Sequence, residues 1–176
     1  MDRSVPSFSD HLGVATEQPV LLELYAHWDE LRGQRRFPRR QDLDPATMLG
    51  ILGNLMVIAV ECPTPGERPV FRYRLIGTSV TFAAGYDLTG SSFDDLPDPE
   101  FRDYCQALFE HAIRLAKPLS AAGQRWIAGE AWEFDSILLP LSEDGRTIDA
   151  FLAALVYPPD WNRGRQPQPS WNWHQN

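Results

Sequence analysis

One stretch, Val70 to Gly90 (VFRYRLIGTSVTFAAGYDLTG), constrains the fold more than any other. Phe71, Tyr73 and Leu75 alternate with Val70, Arg72, Arg74 and Ile76, which predicts a strand with one apolar face. Gly77 breaks that strand, and Thr78 or Ser79 can cap a short helix running through Ala84. Gly85 permits a left-handed exit, and Asp87-Leu88-Thr89-Gly90 makes a further turn. A strand that feeds short, turn-separated helices beside an apolar interior builds the wall of a pocket.

Around this stretch the chain reads in order. Residues 1–18 are polar and turn-rich and are expected to be mobile. Pro19 opens a helix that Gly33 stops, with Leu21, Leu24, Trp28 and Leu31 as its apolar stripe. An arginine-rich connection follows, and Asp44-Pro45 opens a second short helix, DPATMLGILGNL, weakened by Gly50 and Gly53. Leu55 to Val60 is an apolar run of strand length that pairs with the Val70 strand. Beyond Gly90, an acidic segment leads into a helix from Pro99 to Ala116, ended by Lys117-Pro118. Three further strands are predicted over Leu119–Ile127, Trp132–Pro140 and Ile148–Tyr157, with Glu143-Asp144-Gly145 as a hairpin turn. The tail from Asp160 is rich in Pro, Gln and Asn and reads as disordered, although it carries Trp161, Trp171 and Trp173.

The strand–Gly–Thr–short helix–LTG run of Val70 to Gly90 resembles the PAS sensor domain, in which short helices cover a ligand cavity. The upstream residues Trp28, Leu31, Arg32, Gly33, Arg35, Pro38, Arg40, Asp42, Asp44 and Pro45 resemble the signature of a bacterial stand-alone PAS-like subfamily of unknown function. The resemblance spans about Pro19 to Pro159. It implies an α+β fold with a five-stranded antiparallel sheet, short helices, one long helix and extra N-terminal helices. The organisation then reads as a helical extension over 19–54 and a PAS-like domain over 55–159, between a mobile N-terminus and a disordered tail (160–176). The resemblance also implies a non-catalytic sensory or interaction role, exercised on a partner such as a histidine kinase or a second-messenger enzyme. In similar families the N-terminal helix caps the domain or dimerises it, so Leu21, Leu24, Trp28 and Leu31 are interface candidates for a homodimer. Plain packing of that helix on the sheet is the alternative.

Composition bounds the function classes. A formal net charge of -8 and a sequence pI of about 4.9 argue against general nucleic-acid binding. No apolar run approaches the roughly 20 residues that span a bilayer, and the first residues lack an apolar signal core, so a cytoplasmic protein is expected. Cys62 and Cys105 show no metal-ligand spacing and read as free thiols.

Five arginines, Arg32, Arg35, Arg36, Arg39 and Arg40, fall within nine residues. The spacings Arg35/Arg39 and Arg36/Arg40 can grip a phosphate or an acidic partner, but a solvated basic loop is the simpler reading. Arg40 can pair with Asp42 or Asp44. Arg72 and Arg74 are read as exposed or at a sheet edge. His111, between Leu108 and Leu115 on the long helix, is a weak candidate for a haem ligand, since haem-binding PAS domains take their axial histidine from this helix. The light-sensing flavin relatives need a cysteine in an N-C-R-F motif, and SSFDDLPDPEF after Gly90 has none. A small α+β enzyme of the steroid-isomerase cone type would need acids on apolar strands, and Asp135 is the acid available. What remains is an apolar cavity for a small ligand, with Val80, Phe82, Tyr86, Phe93, Leu108, Phe109, Trp126, Phe134 and Ile137 as its candidate lining. An interior filled by those same side chains would instead make a plain adaptor.

Overall fold

The computed structural model describes residues 16–62, 66–127 and 130–158; the expectations for residues 1–15 and for the tail from Asp160 lie outside these. Three helices and five strands are described: α1 (Pro19–Arg32), β1 (Leu55–Glu61), β2 (Val70–Ile76), α2 (Thr78–Ala84), α3 (Pro99–Leu115), β3 (Leu119–Ile127), β4 (Glu130–Leu141) and β5 (Ala150–Val156). The strands form one antiparallel sheet in the order β2-β1-β5-β4-β3. The first and last strands of the sequence therefore lie side by side at its centre, and the α+β expectation holds.

Both sheet faces are covered, which follows from the doubly apolar β4 and β5. On β4, Phe134, Ser136 and Leu138 face one way, while Asp135, Ile137 and Leu139 face the other. The first set lies beneath α2 and α3. The second set is covered by α1, whose Leu21, Leu24 and Trp28 are at most 2% exposed and whose Trp28 Nε1 donates to Pro140 O at 2.9 Å. These three side chains, read from sequence as a dimer surface or a packing face, pack on the sheet. Leu31 is half-buried at the end of the helix.

Two local features depart from the sequence reading. The segment after Asp44 is not one helix but two 3₁₀ turns, Pro45–Met48 and Leu52–Asn54, because Gly50 and Gly53 give a helix too little support between them. Asp44 still caps the first, accepting from Ala46 N at 2.9 Å. On β2 the alternation slips. Val57 pairs with Leu75 and Ile58 with Tyr73, so Arg74 is an extra residue, a β-bulge. Beyond it Ile76 turns inward and Leu75 is 42% exposed, the reverse of strict alternation.

Gly77 is needed for contact rather than flexibility. A Cβ there would collide with the backbone of Leu52 and Gly53, and Gly77 N donates to Leu55 O at 2.7 Å. The close approach locks the start of α2 onto the turn ahead of β1.

Candidate functional site

Between the inner sheet face and α2–α3 the interior divides into a packed part and an open part. The packed part is a phenylalanine cluster. Phe93 lies 5.3 Å from Phe71 and 5.0 Å from Phe109, and Phe109 lies 5.1 Å from Phe151 between ring centroids. Beside it sits an apolar cavity of about 60 Å³. Liquid water occupies about 30 Å³ per molecule, and an apolar cavity of about 150 Å³ accepts benzene. A ligand the size of benzene therefore enters only if lining side chains shift.

The elements that hold the wall are each fixed by local chemistry. Helix α3 starts at Asp98, whose carboxylate accepts from Glu100 N at 3.0 Å and Phe101 N at 3.2 Å, with Pro99 at the first position. Phe101, Tyr104, Cys105 and Leu108, at i, i+3, i+4 and i+7, then face the cavity. Ahead of α3, the Phe93–Asp95 turn is clamped by Asp95, which accepts from Ser92 N at 2.8 Å and Ser92 Oγ at 2.9 Å. Those two hydrogen bonds, the backbone one foremost, hold the Asp95 carboxyl below the usual carboxylate range, and the turn aims Phe93 inward.

The wall is electrically neutral. Its residues include Met56, Ile58, Ile76, Leu88, Leu96, Leu138, Ala153 and Leu155, and among the described residues no Asp, Glu, Lys, Arg or His lines it. Burial pushes the Tyr104 phenol well above its ordinary value, so that hydroxyl stays protonated. Ser136 Oγ donates to Ala121 O at 3.0 Å across the sheet. A site of this kind favours a neutral, mainly apolar guest, because an ion would lose its hydration without gaining a counter-charge.

Of the residues predicted to line the cavity, Val80, Tyr86, Phe93, Leu108, Phe109 and Phe134 do so. Ile137 is fully buried but on the opposite sheet face, three positions from Phe134 and hence of opposite parity. Phe82 is partly buried on α2 and is not part of the lining. The Trp126 side chain lies outside the described residues. His111 is half-buried, with Arg114 Nη2 3.4 Å from its Nδ1, and does not line the cavity, so it is not placed to ligate a haem there. Asp135 lies on the outer face and accepts from Gln18 Nε2 at 2.8 Å, so the acid offered for a cone-type enzyme does not reach the interior.

The basic segment is largely tied down locally. Arg35 pairs with Asp42 at 2.7 Å and also donates to Leu31 O, so the partner of Asp42 is Arg35 rather than Arg40. Asp42 accepts from Arg39 N at 2.8 Å, and this bond, with help from Arg35, lowers its carboxyl pKa. Arg36 lies over the Phe37 ring at 5.0 Å, and Arg40 N donates to Glu143. Phe37 and Pro38 are buried, and Ser142 N donates to Pro38 O at 3.0 Å, which docks the segment on the β4–β5 hairpin. Arg72 and Arg74 both clasp Glu61, at 3.1 and 2.7 Å, on the sheet edge, as read from the sequence.

Among the described residues no cluster of three or more His, Cys, Asp or Glu could hold a metal ion, and no helix is long and apolar enough to cross a membrane. A search of curated proteins gives no match. Among solved structures, the LOV protein of Rhodobacter sphaeroides is similar at 15% identity and a TM-score of 0.47, covering 69% of this chain and 72% of that one. A variant of RsLOV with a single aspartate-to-glycine substitution is similar at 14% identity and a TM-score of 0.46, covering 85% of this chain and 73% of its own. The family model described as "PAS domain" matches residues 16–156, which take in α1, all five strands and the helices over the cavity. The chain belongs to the PAS domain family.

Proposed function

We propose that this PAS domain is a non-catalytic sensor whose interior takes a small, neutral, mainly apolar ligand and whose response passes to a partner protein. The observation that carries the reading is the uncharged cavity between α2, α3 and the inner sheet face. Its modest volume suits either a very small guest or a larger one that displaces aromatic side chains of the wall. Because the Phe93–Asp95 turn, α2 and α3 all border the cavity, occupancy would be felt on the helical surface above it.

Partner docking falls to exposed apolar side chains, of which Leu22, Leu49 and Leu75 are the large ones among the described residues, at 42, 71 and 42% exposed. Leu22 lies on the side of α1 away from the sheet and offers a contact for a second copy; Leu49 and Leu75 suit a signalling enzyme such as a histidine kinase or a second-messenger enzyme. Two free cysteines, Cys62 exposed and Cys105 buried, suit a reducing, cytoplasmic setting.

Native mass spectrometry of protein freshly isolated from cells tests the ligand. A bound small mass should disappear on denaturation and be weakened by Ala153→Leu, which adds volume on the cavity side of β5. A bound mass that Ala153→Leu leaves unchanged would place the ligand elsewhere and overturn the reading.

A further inference from the structure

Residues 32–40 carry five arginines and no acid, in a chain whose formal net charge is -8. The rest of the molecule is therefore more acidic than the whole, and this segment stands against it as a basic island. Two of the five arginines are paired within the chain, Arg32 with Asp29 at 2.6 Å and Arg35 with Asp42 at 2.7 Å. Arg36, Arg39 and Arg40 are exposed, and among the described residues their guanidinium groups form no ion pair.

The backbone that carries these three is held in place. Phe37 and Pro38, buried in the middle of the run, anchor it on the domain. Arg39 N donates to Asp42 Oδ2 at 2.8 Å, and Arg39 O accepts from Asp42 N at 3.1 Å. Anchoring of this kind removes part of the ordering cost that a partner would otherwise meet. The β4–β5 hairpin brings a fourth arginine to the same place. Ser142 N donates to Pro38 O, Ser142 Oγ donates to Asp144 at 2.9 Å, and Arg146 N donates to the same Asp144 carboxylate at 2.7 Å. Arg146 is exposed, and its guanidinium also lacks an ion pair among the described residues. The hairpin acids are engaged by backbone instead: Asp144 also accepts from Thr147 N, and Asp149 accepts from Glu143 N, both at 2.7 Å.

We propose that Arg36, Arg39, Arg40 and Arg146 form a docking surface for a short acidic segment of a partner protein. Guanidinium groups suit carboxylates because each presents N–H donors in a planar fork that matches the two oxygens. A short segment fits this surface better than an extended polyanion. Charges in water interact over about 8 Å at physiological ionic strength, so a peptide meets only the basic island. A nucleic-acid duplex or an anionic bilayer extends past it and meets the acidic remainder. The surface adds charge recognition to partner docking and stands whether or not the cavity binds a ligand.

The test is fluorescence anisotropy of a labelled hexaglutamate peptide titrated with the full chain at low ionic strength, with hexaglutamine as the neutral control. Hexaglutamate should bind saturably and hexaglutamine should not. The combined variant Arg36→Gln, Arg39→Gln, Arg40→Gln should weaken binding about tenfold or more, and Arg146→Gln alone about two- to fivefold. Both should keep the urea midpoint of the unmodified chain, since no ion pair is lost. Removing three positive charges elsewhere, by Arg102→Gln, Arg114→Gln and Lys117→Gln, should weaken binding by less than about twofold. No saturable binding of hexaglutamate, equal losses in the two triple variants, or no effect of Arg146→Gln overturns the proposal. Duplex DNA or anionic phospholipid vesicles binding as tightly as the peptide overturn it too. So does a lower mass by light scattering in the arginine variants, which would assign the surface to a second copy.

Discussion

The Phe134 ring lies directly over Gly123 on the neighbouring strand: a Cβ at Gly123 would stand 2.7 Å from Phe134 Cζ. Gly123 thus makes the floor on which an aromatic wall of the cavity rests, with Phe101, Tyr104 and Tyr157 presenting their rings edge to face around it. Gly123→Ala should push that ring toward the cavity and destabilise the domain by about 1–3 kcal/mol in urea unfolding. In a double-mutant cycle with Phe134→Ala the two losses should not add, because removing the ring removes the collision. Additive losses would show that the ring does not rest there.

A stronger effect is expected at Gly77. Its missing Cβ would meet backbone, which cannot swing aside as a side chain can. Gly77→Ala should cost roughly 3 kcal/mol or more, against about 1 kcal/mol or less for Gly50→Ala, where the space is open. Comparable losses at the two positions would rule out the close approach of α2 to the turn before β1.

Trp28 reports on α1. Trp28→Phe keeps most of the buried apolar surface but leaves Pro140 O without its donor, at a cost of about 1–3 kcal/mol in chemical denaturation. Because Trp28 packs within its own chain, the mass measured by light scattering should match that of the unmodified protein. A change of mass with no loss of stability would return Trp28 to an interface between copies.

Acid should weaken the fold through three aspartates. The carboxyls of Asp42, Asp95 and Asp144 are each held below the ordinary value, Asp144 chiefly by the backbone N–H groups of Thr147 and Arg146. A lowered folded-state pKa contributes stability that is present above the unfolded value, about 3.9, and is lost as pH falls through the folded value. Stability should therefore drop below about pH 4. Asp95→Ala should cost about 0.5–2 kcal/mol at neutral pH, by loss of the Ser92 clamp, and should flatten the acid limb. An acid limb of unchanged slope in Asp95→Ala would sink this assignment.

Much of the architecture is legible in the sequence because local signals agree with it. Gly77 marks the strand end, Asp98-Pro99 marks the start of α3, and β5 is apolar enough to require a central place. The bulge at Arg74 is not legible, because an unpaired residue is defined by the partner strand and not by β2 itself. The lining of the cavity is half legible. Parity along β4 separates Phe134, Ser136 and Leu138 from Ile137, yet β4 is apolar on both faces, so alternation alone does not say which set looks inward. The stripe Phe101, Tyr104, Cys105 and Leu108 is visible as helical spacing, but only the placement of α3 turns it into a wall. Met56 and Ile58 were hidden in an unbroken apolar run, where nothing distinguishes one face from the other.

The central claim, a cavity that accepts small neutral apolar molecules, is tested most directly by methyl NMR. The protein is titrated with a panel of small hydrocarbons, alcohols and matched carboxylates while methyl shifts are followed. The account predicts saturable shifts at Met56, Ile58, Val80 and Leu108, produced by the neutral compounds and not by the carboxylates, with Val57 and Leu152 of the outer face unmoved. Carboxylates binding as well as their neutral counterparts, shifts centred on the outer face, or no shift with any compound would contradict it.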